Sequence, residues 1–175
     1  STLESTLDAV GRKVNLARLE ESVRRLRQSG RINLHLDLVA GLPGDGYDSF
    51  LASIDRVVAL APHHLQVEAV QLLPGSPLRA QAAELQIRYD PNPPYTVLAN
   101  QGLSFTELQR LQEISRLIDL TYNSGCFPTF LQELSTASGS FATSLAWLAE
   151  QWGERNLFRF PLNRQAIFQS IFEII

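Results

Sequence analysis

The sequence predicts an α/β segment followed by an all-α segment. Three observations carry that prediction. Over residues 1–88, runs with helical spacing alternate with runs of strand-like alternation. Each strand-like run feeds a turn and then a helix, the order expected of parallel strands joined by crossover helices. Residues 89–103, "YDPNPPYTVLANQGL", hold three prolines and read as a linker. From residue 104 to 175 only helical spacing is visible.

The elements follow in order. Residues 15–29, "NLARLEESVRRLRQS", form a helix on paper, with Asn15 as N-cap and Leu16, Leu19, Val23 and Leu26 on one face. Gly30 is placed to end it. Residues 31–40 alternate: Ile32, Leu34, Leu36 and Leu38 share one side, and Asn33, His35, Asp37 and Val39 the other. "GLPGDG" is the turn that follows. Helical spacing returns at 48–60 through Phe50, Ile54, Val57 and Val58. A second strand is expected at 63–73, "HHLQVEAVQLL", broken by "PGSP", and Leu78 to Leu85 make a further helix. Ser104 and Glu107 spell a capping box. Leu108, Leu111, Ile114, Ile118 and Tyr122 then mark a helix face, stopped by "NSG" at 123–125. Shorter helices are expected at 127–136 and 140–152. "NRQAIFQSIFEII" closes the chain with a stripe of Ile167, Phe168, Ile171 and Phe172.

Composition narrows the partners. The 175 residues are 45% hydrophobic and 19% charged, a globular balance, with a net charge of −3. A phosphate-backbone binder carries more positive charge, so nucleic acid is not expected as a partner. The apolar runs fall far short of the ~20 residues a membrane-spanning helix needs. The single cysteine, Cys126, builds no disulfide framework and suggests a reducing compartment such as the cytoplasm. The chain has no methionine, even at position 1, which suggests a piece of a longer polypeptide.

The polar strand face admits two readings. In a closed parallel barrel one strand face packs on the outer helices and the other points inward. Asn33, His35 and Asp37 would then line a lumen, joined by His64, Gln66 and Glu68 of the second strand. A buried carboxylate costs several kcal/mol unless it is satisfied, so Asp37 would need a partner, a metal or a ligand. Alternatively, the polar face of a one-sided strand simply meets water. The glycine-rich turn is equally open. Glycines between strand and helix can cradle a phosphate, but "GLPGDG" lacks the Lys-Ser/Thr of a P-loop and the G-x-G-x-x-G spacing.

At "LDLVAGLPGD" the chain resembles the fifth barrel strand of radical S-adenosylmethionine (SAM) enzymes, especially those similar to the anaerobic coproporphyrinogen oxidase. "DSFLASIDRVVALAPHHLQVEAVQLLPGSPL" resembles the next helix, the sixth strand and its turn. "STLESTLDAVGRKVN" resembles the stretch after the fourth strand. "PPYTVLANQGLSFTELQRLQEISRLIDLTYNSGCF" is similar to a helical C-terminal domain of unknown function found in a subset of these proteins, in which a cobalamin-binding domain usually comes first. The resemblance implies the C-terminal half of a parallel (β/α) radical SAM barrel plus a helical domain. It implies that Arg12 meets the methionyl carboxylate of SAM, for which a guanidinium fork is suited. Asp37 would bond the ribose hydroxyls, Gln71 would meet the adenine mainly through its backbone, and Gly41, Leu42 and Pro43 would form the turn beneath the adenosine. The family's C-x3-C-x2-C motif for a 4Fe-4S cluster is absent, so the cluster ligands, and any cobalamin domain, would lie in the upstream part of the same polypeptide. The chain alone is not expected to reduce SAM, and Cys126 reads as a small apolar packing residue. The partner implied is a small-molecule substrate of the intact enzyme.

Plainer readings stand beside these. Arg12 can be a solvated neighbour of Lys13, and His35 a histidine bonded to a neighbour. Glu68 can reach substrate or pair with a cation. The whole chain can instead be a non-catalytic helical interaction or scaffold domain carrying a barrel piece. A third alternative makes "HLD" (35–37) and "HH" (63–64) ligands of a metal hydrolase, without a third ligand at a recognisable spacing.

Overall fold

The computed structural model describes residues 1–174. A short helix α1 (Glu4–Ala9) leads to α2 (Leu16–Ser29), β1 (His35–Ala40), α3 (Tyr47–Val58), β2 (His64–Ala69) and the single turn α4 (Pro77–Ala80). The two-residue β3 (Arg88–Tyr89) and β4 (Val97–Ala99) follow. The helical part comprises α5 (Phe105–Leu117), a π-helical stretch Ile118–Asn123, α6 (Pro128–Ser138), α7 (Phe141–Glu154), a 3-10 turn Leu157–Arg159 and α8 (Arg164–Phe172).

Local chemistry explains the boundaries. The Asn15 side chain accepts the Arg18 amide at 2.9 Å, and Gly30, in the left-handed region at φ 63°, closes α2. Only half of the expected α2 face is covered, since Leu16 and Val23 are buried while Leu19 and Leu26 stay exposed. Glu20 ties α2 to α3 by pairing with Arg56 as well as Arg24. The capping box at Ser104 and Glu107 forms as the sequence spells it. The helix expected at 78–85 shrinks to one turn and continues as hydrogen-bonded turns. Among residues 80–86 only Ala82 is buried and Leu85 partly so, too small an apolar face to hold a longer helix. In α8 the stripe splits: Ile167 and Ile171 are buried, whereas Phe168 and Phe172 face solvent.

β1 and β2 pair in parallel with α3 as the crossover, in the register His35–His64, Asp37–Gln66 and Val39–Glu68. Leu34, Leu38, Leu65 and Val67 form the apolar face, covered by α3 on β1 and by α5 with the π-helical stretch on β2. Side chains close the outer edge of β2. Asn123 accepts the Leu65 N–H through Oδ1 at 2.9 Å and donates Nδ2 to the Leu65 carbonyl at 2.8 Å. Ser115 Oγ donates to the Val67 carbonyl at 2.7 Å. The Val97 N–H donates to the Val70 carbonyl and the Leu72 N–H to the Tyr95 carbonyl, both at 2.9 Å. Among the described residues β1 has no ladder partner on its other side.

Residues 89–103, expected as a linker, are ordered. β3 and β4 form an antiparallel ribbon, Thr96 bridges to Gln71, and Val97 and Leu103 are buried. One hydrophobic core runs from Leu38 of β1 through Phe50 and Ile54 of α3 and Leu111 of α5 to Trp152 of α7 and Ile171 of α8. A small satellite of Val23, Leu34 and Leu60 lies under α2.

Candidate functional site

The carboxyl end of β1 runs straight into the turn Gly41–Gly46, and several contacts fix that turn. Gly41 sits at φ 92°, where a side chain is strained, and an added Cβ would lie 3.4 Å from Leu108 and 3.5 Å from Val97. The Asn100 side chain donates to the Gly41 carbonyl at 2.9 Å and so pins the turn to the ribbon. Gly102 approaches from the far side so closely that a Cβ would lie 2.1 Å from the Asp45 carbonyl oxygen. Asp45 is 1% exposed. Its Oδ1 accepts from Ser49 Oγ at 2.7 Å, and its Oδ2 has no partner among the described residues.

Beside this turn, at the carboxyl ends of both strands, lies an open cavity of about 550 Å³. Arg12, Asp37, Leu42 and Gln71 line it together, with Leu7 of α1 and Val10, which caps that helix, as an apolar wall. In parallel α/β structures this end of the sheet is where ligands bind. Four of the six expected site residues therefore converge on one space, although Arg12 and Gln71 are 59 residues apart in sequence. Gly41 and Pro43 are buried behind it. Gly41 meets the ribbon and α5, so the close approach it permits is to those side chains.

The polar face of the sheet is uncovered. Asn33, His35, Asp37, Gln66 and Glu68 are exposed, so in this chain the carboxylate of Asp37 meets solvent and carries no burial cost. Further polar side chains line the cavity. Glu68, whose Oε1 accepts from Gln66 Nε2 at 2.7 Å, shares the face of Asp37, and Ser76 caps α4. The alternation of 63–73 already put Glu68 on that face. Nothing in the spacing of α1 announced that Leu7 and Val10 would form a wall.

The histidines sit elsewhere. His35 stacks on His64 with ring centroids 5.0 Å apart at the amino ends of the strands, away from the cavity. His63 Nδ1 accepts the Leu34 N–H at 3.0 Å, which occupies that ring in a backbone contact. Among the described residues no group of three or more His, Cys, Asp or Glu side chains is placed to hold a metal ion. Cys126 is half-buried against the core after the π-helical stretch. No helix among the described residues is long and apolar enough to cross a membrane.

Fold and site together define a parallel α/β unit with an open cavity of mixed polar and apolar lining, continuous through its core with a helical unit. Residues 83–175, just over half of the chain, match the family described as protein of unknown function (DUF4080), and the chain belongs to that family. A 65-residue stretch, 37% of the chain, is 35% identical to the oxygen-independent coproporphyrinogen-III oxidase-like protein HemZ of Bacillus subtilis (strain 168). That stretch spans 13% of HemZ.

Proposed function

We propose that this chain is the C-terminal part of a radical SAM enzyme, supplying the last two barrel strands and part of the SAM site. The observation that carries the reading is the convergence of Arg12, Asp37, Leu42 and Gln71 on one cavity at the carboxyl ends of parallel strands. The 65-residue similarity to HemZ also supports it. In this reading the Arg12 guanidinium binds the methionyl carboxylate, the exposed Asp37 carboxylate accepts from the ribose hydroxyls, and Leu42 floors the adenosine. The Gln71 backbone meets the adenine, and Gly41 and Pro43 hold the turn that sets these positions. The uncovered edge of β1 and the polar face beside it are where the upstream strands of the barrel pair and close it. Bound SAM supplies a deoxyadenosyl radical or a methyl group. The 4Fe-4S cluster is held outside this chain, whose single cysteine cannot hold it, and any cobalamin domain likewise lies upstream.

Titration calorimetry of SAM against the natural polypeptide and its Asp37→Ala variant tests the reading. Loss of a charged hydrogen-bond acceptor should weaken binding by roughly ten- to a hundredfold. Unchanged affinity would remove Asp37 from the site.

One observation favours a second reading, a helical interaction or scaffold unit. Phe160, Phe168 and Phe172 are exposed at the end of the helical part, Phe172 at 84%. A chain acting only in that way would show no SAM affinity.

A further inference from the structure

We infer that Glu68 is a charge-selecting residue of the cavity, its carboxylate facing the cationic sulfonium side of a bound S-adenosyl ligand. The site then favours SAM over S-adenosylhomocysteine, whose sulfur is a neutral thioether. This inference rests on the SAM reading above and adds a residue that the family resemblance does not assign.

Three observations carry it. The first is position. Asp37 pairs with Gln66 in the parallel register, and Glu68 stands two residues further along the same face, toward the carboxyl end, lining the same cavity. The second is orientation. Gln66 Nε2 donates to Glu68 Oε1 at 2.7 Å, which holds the carboxylate in place through a neutral partner and leaves its charge intact. The third is the charge count. Among the described residues no cation forms an ion pair with Glu68, and the ionisable side chains lining the cavity are Asp37 and Glu68 against Arg12 alone. With Arg12 engaged by the ligand's carboxylate and Asp37 by its ribose, Glu68 remains an unneutralised anion on the wall. SAM is a net cation at neutral pH, its ammonium and sulfonium outweighing its carboxylate. Its demethylated product lacks the sulfonium charge, and so lacks the group that answers Glu68. The same device would favour release of a demethylated product over retention.

The test is calorimetric titration of SAM and of S-adenosylhomocysteine, separately, into the natural polypeptide and its Glu68→Gln and Asp37→Ala variants. The wild type should prefer SAM, and Glu68→Gln should lose about tenfold in SAM affinity while its affinity for S-adenosylhomocysteine barely moves. The preference should also narrow as salt is raised, because the wall is open to solvent. Asp37→Ala should weaken both ligands by similar factors, since both carry the ribose. If Glu68→Gln weakens both ligands equally or neither, the role given to Glu68 is overturned, while a weakened Asp37→Ala leaves the SAM reading in place. A wild type that binds neither ligand overturns both. Glu68 is exposed, and an unchanged melting temperature of the variant keeps the comparison one of binding.

Discussion

Gly102 and Gly41 hold the candidate site in shape by what they lack. Gly102 lets the turn between β4 and α5 pass within van der Waals reach of the Asp45 carbonyl, where any Cβ would collide with backbone rather than with a flexible side chain. Gly102→Ala should therefore shift the 41–46 turn and cost about 1–3 kcal/mol, measurable by urea unfolding. A variant as stable as the wild type would mean that the ribbon yields more freely than this packing implies. Legibility at this scale is uneven. Asp37 stood out in the sequence because a carboxylate alternates with leucines on a strand. Arg12, exposed beside Lys13, was marked only by family resemblance. Gly102 carried no signal, because its constraint comes from a carbonyl 57 residues away in sequence.

At the scale of elements, the edge of β2 has the most unusual construction. A strand edge left open is a template for pairing with another chain. Here a single asparagine at the end of the π-helical stretch mimics a neighbouring strand, giving Leu65 both an acceptor and a donor. The wider π turn accommodates this. The Thr121 hydroxyl donates back to the Leu117 carbonyl at 2.6 Å, and the chain delivers Asn123 to the sheet. Asn123→Ala leaves the Leu65 N–H and carbonyl without their partner, with an expected loss of about 1–3 kcal/mol. Amide exchange at Leu65 should accelerate more than at Leu38 on β1. Equal protection at both amides in the variant would show that the asparagine is not the edge's closure. The sequence marked "NSG" only as a helix stop. Propensity reads Asn as a terminator, and its bond to a strand 58 residues earlier is a tertiary fact. The strands and the capping box of α5 were legible because alternation and capping are local. The ribbon at 88–99 was hidden because its strands of two and three residues are too short to alternate visibly.

Over the whole molecule, the two segments that differ in sequence pattern share one core. Leu65 and Ile54 belong to the same cluster as Leu111, Leu148 and Trp152, so the helical part is packed onto the back of the sheet. That arrangement assigns the two faces of β1 and β2 different work. The leucine face is spent on the helices, and the polar face stays free at the end where the cavity lies. The α/β-then-α order was readable from the change of period near residue 104, whereas the shared core was not, because an apolar helix face does not name what it packs against. In the proposed reading, SAM occupies the free face and its cavity. Hydrogen–deuterium exchange of the natural polypeptide, with and without saturating SAM, tests it most directly. Bound SAM should slow exchange over residues 36–43 and 69–72 and leave α6 and α8 unchanged. Unaltered exchange at both strand ends, or protection confined to the helical part, would contradict it.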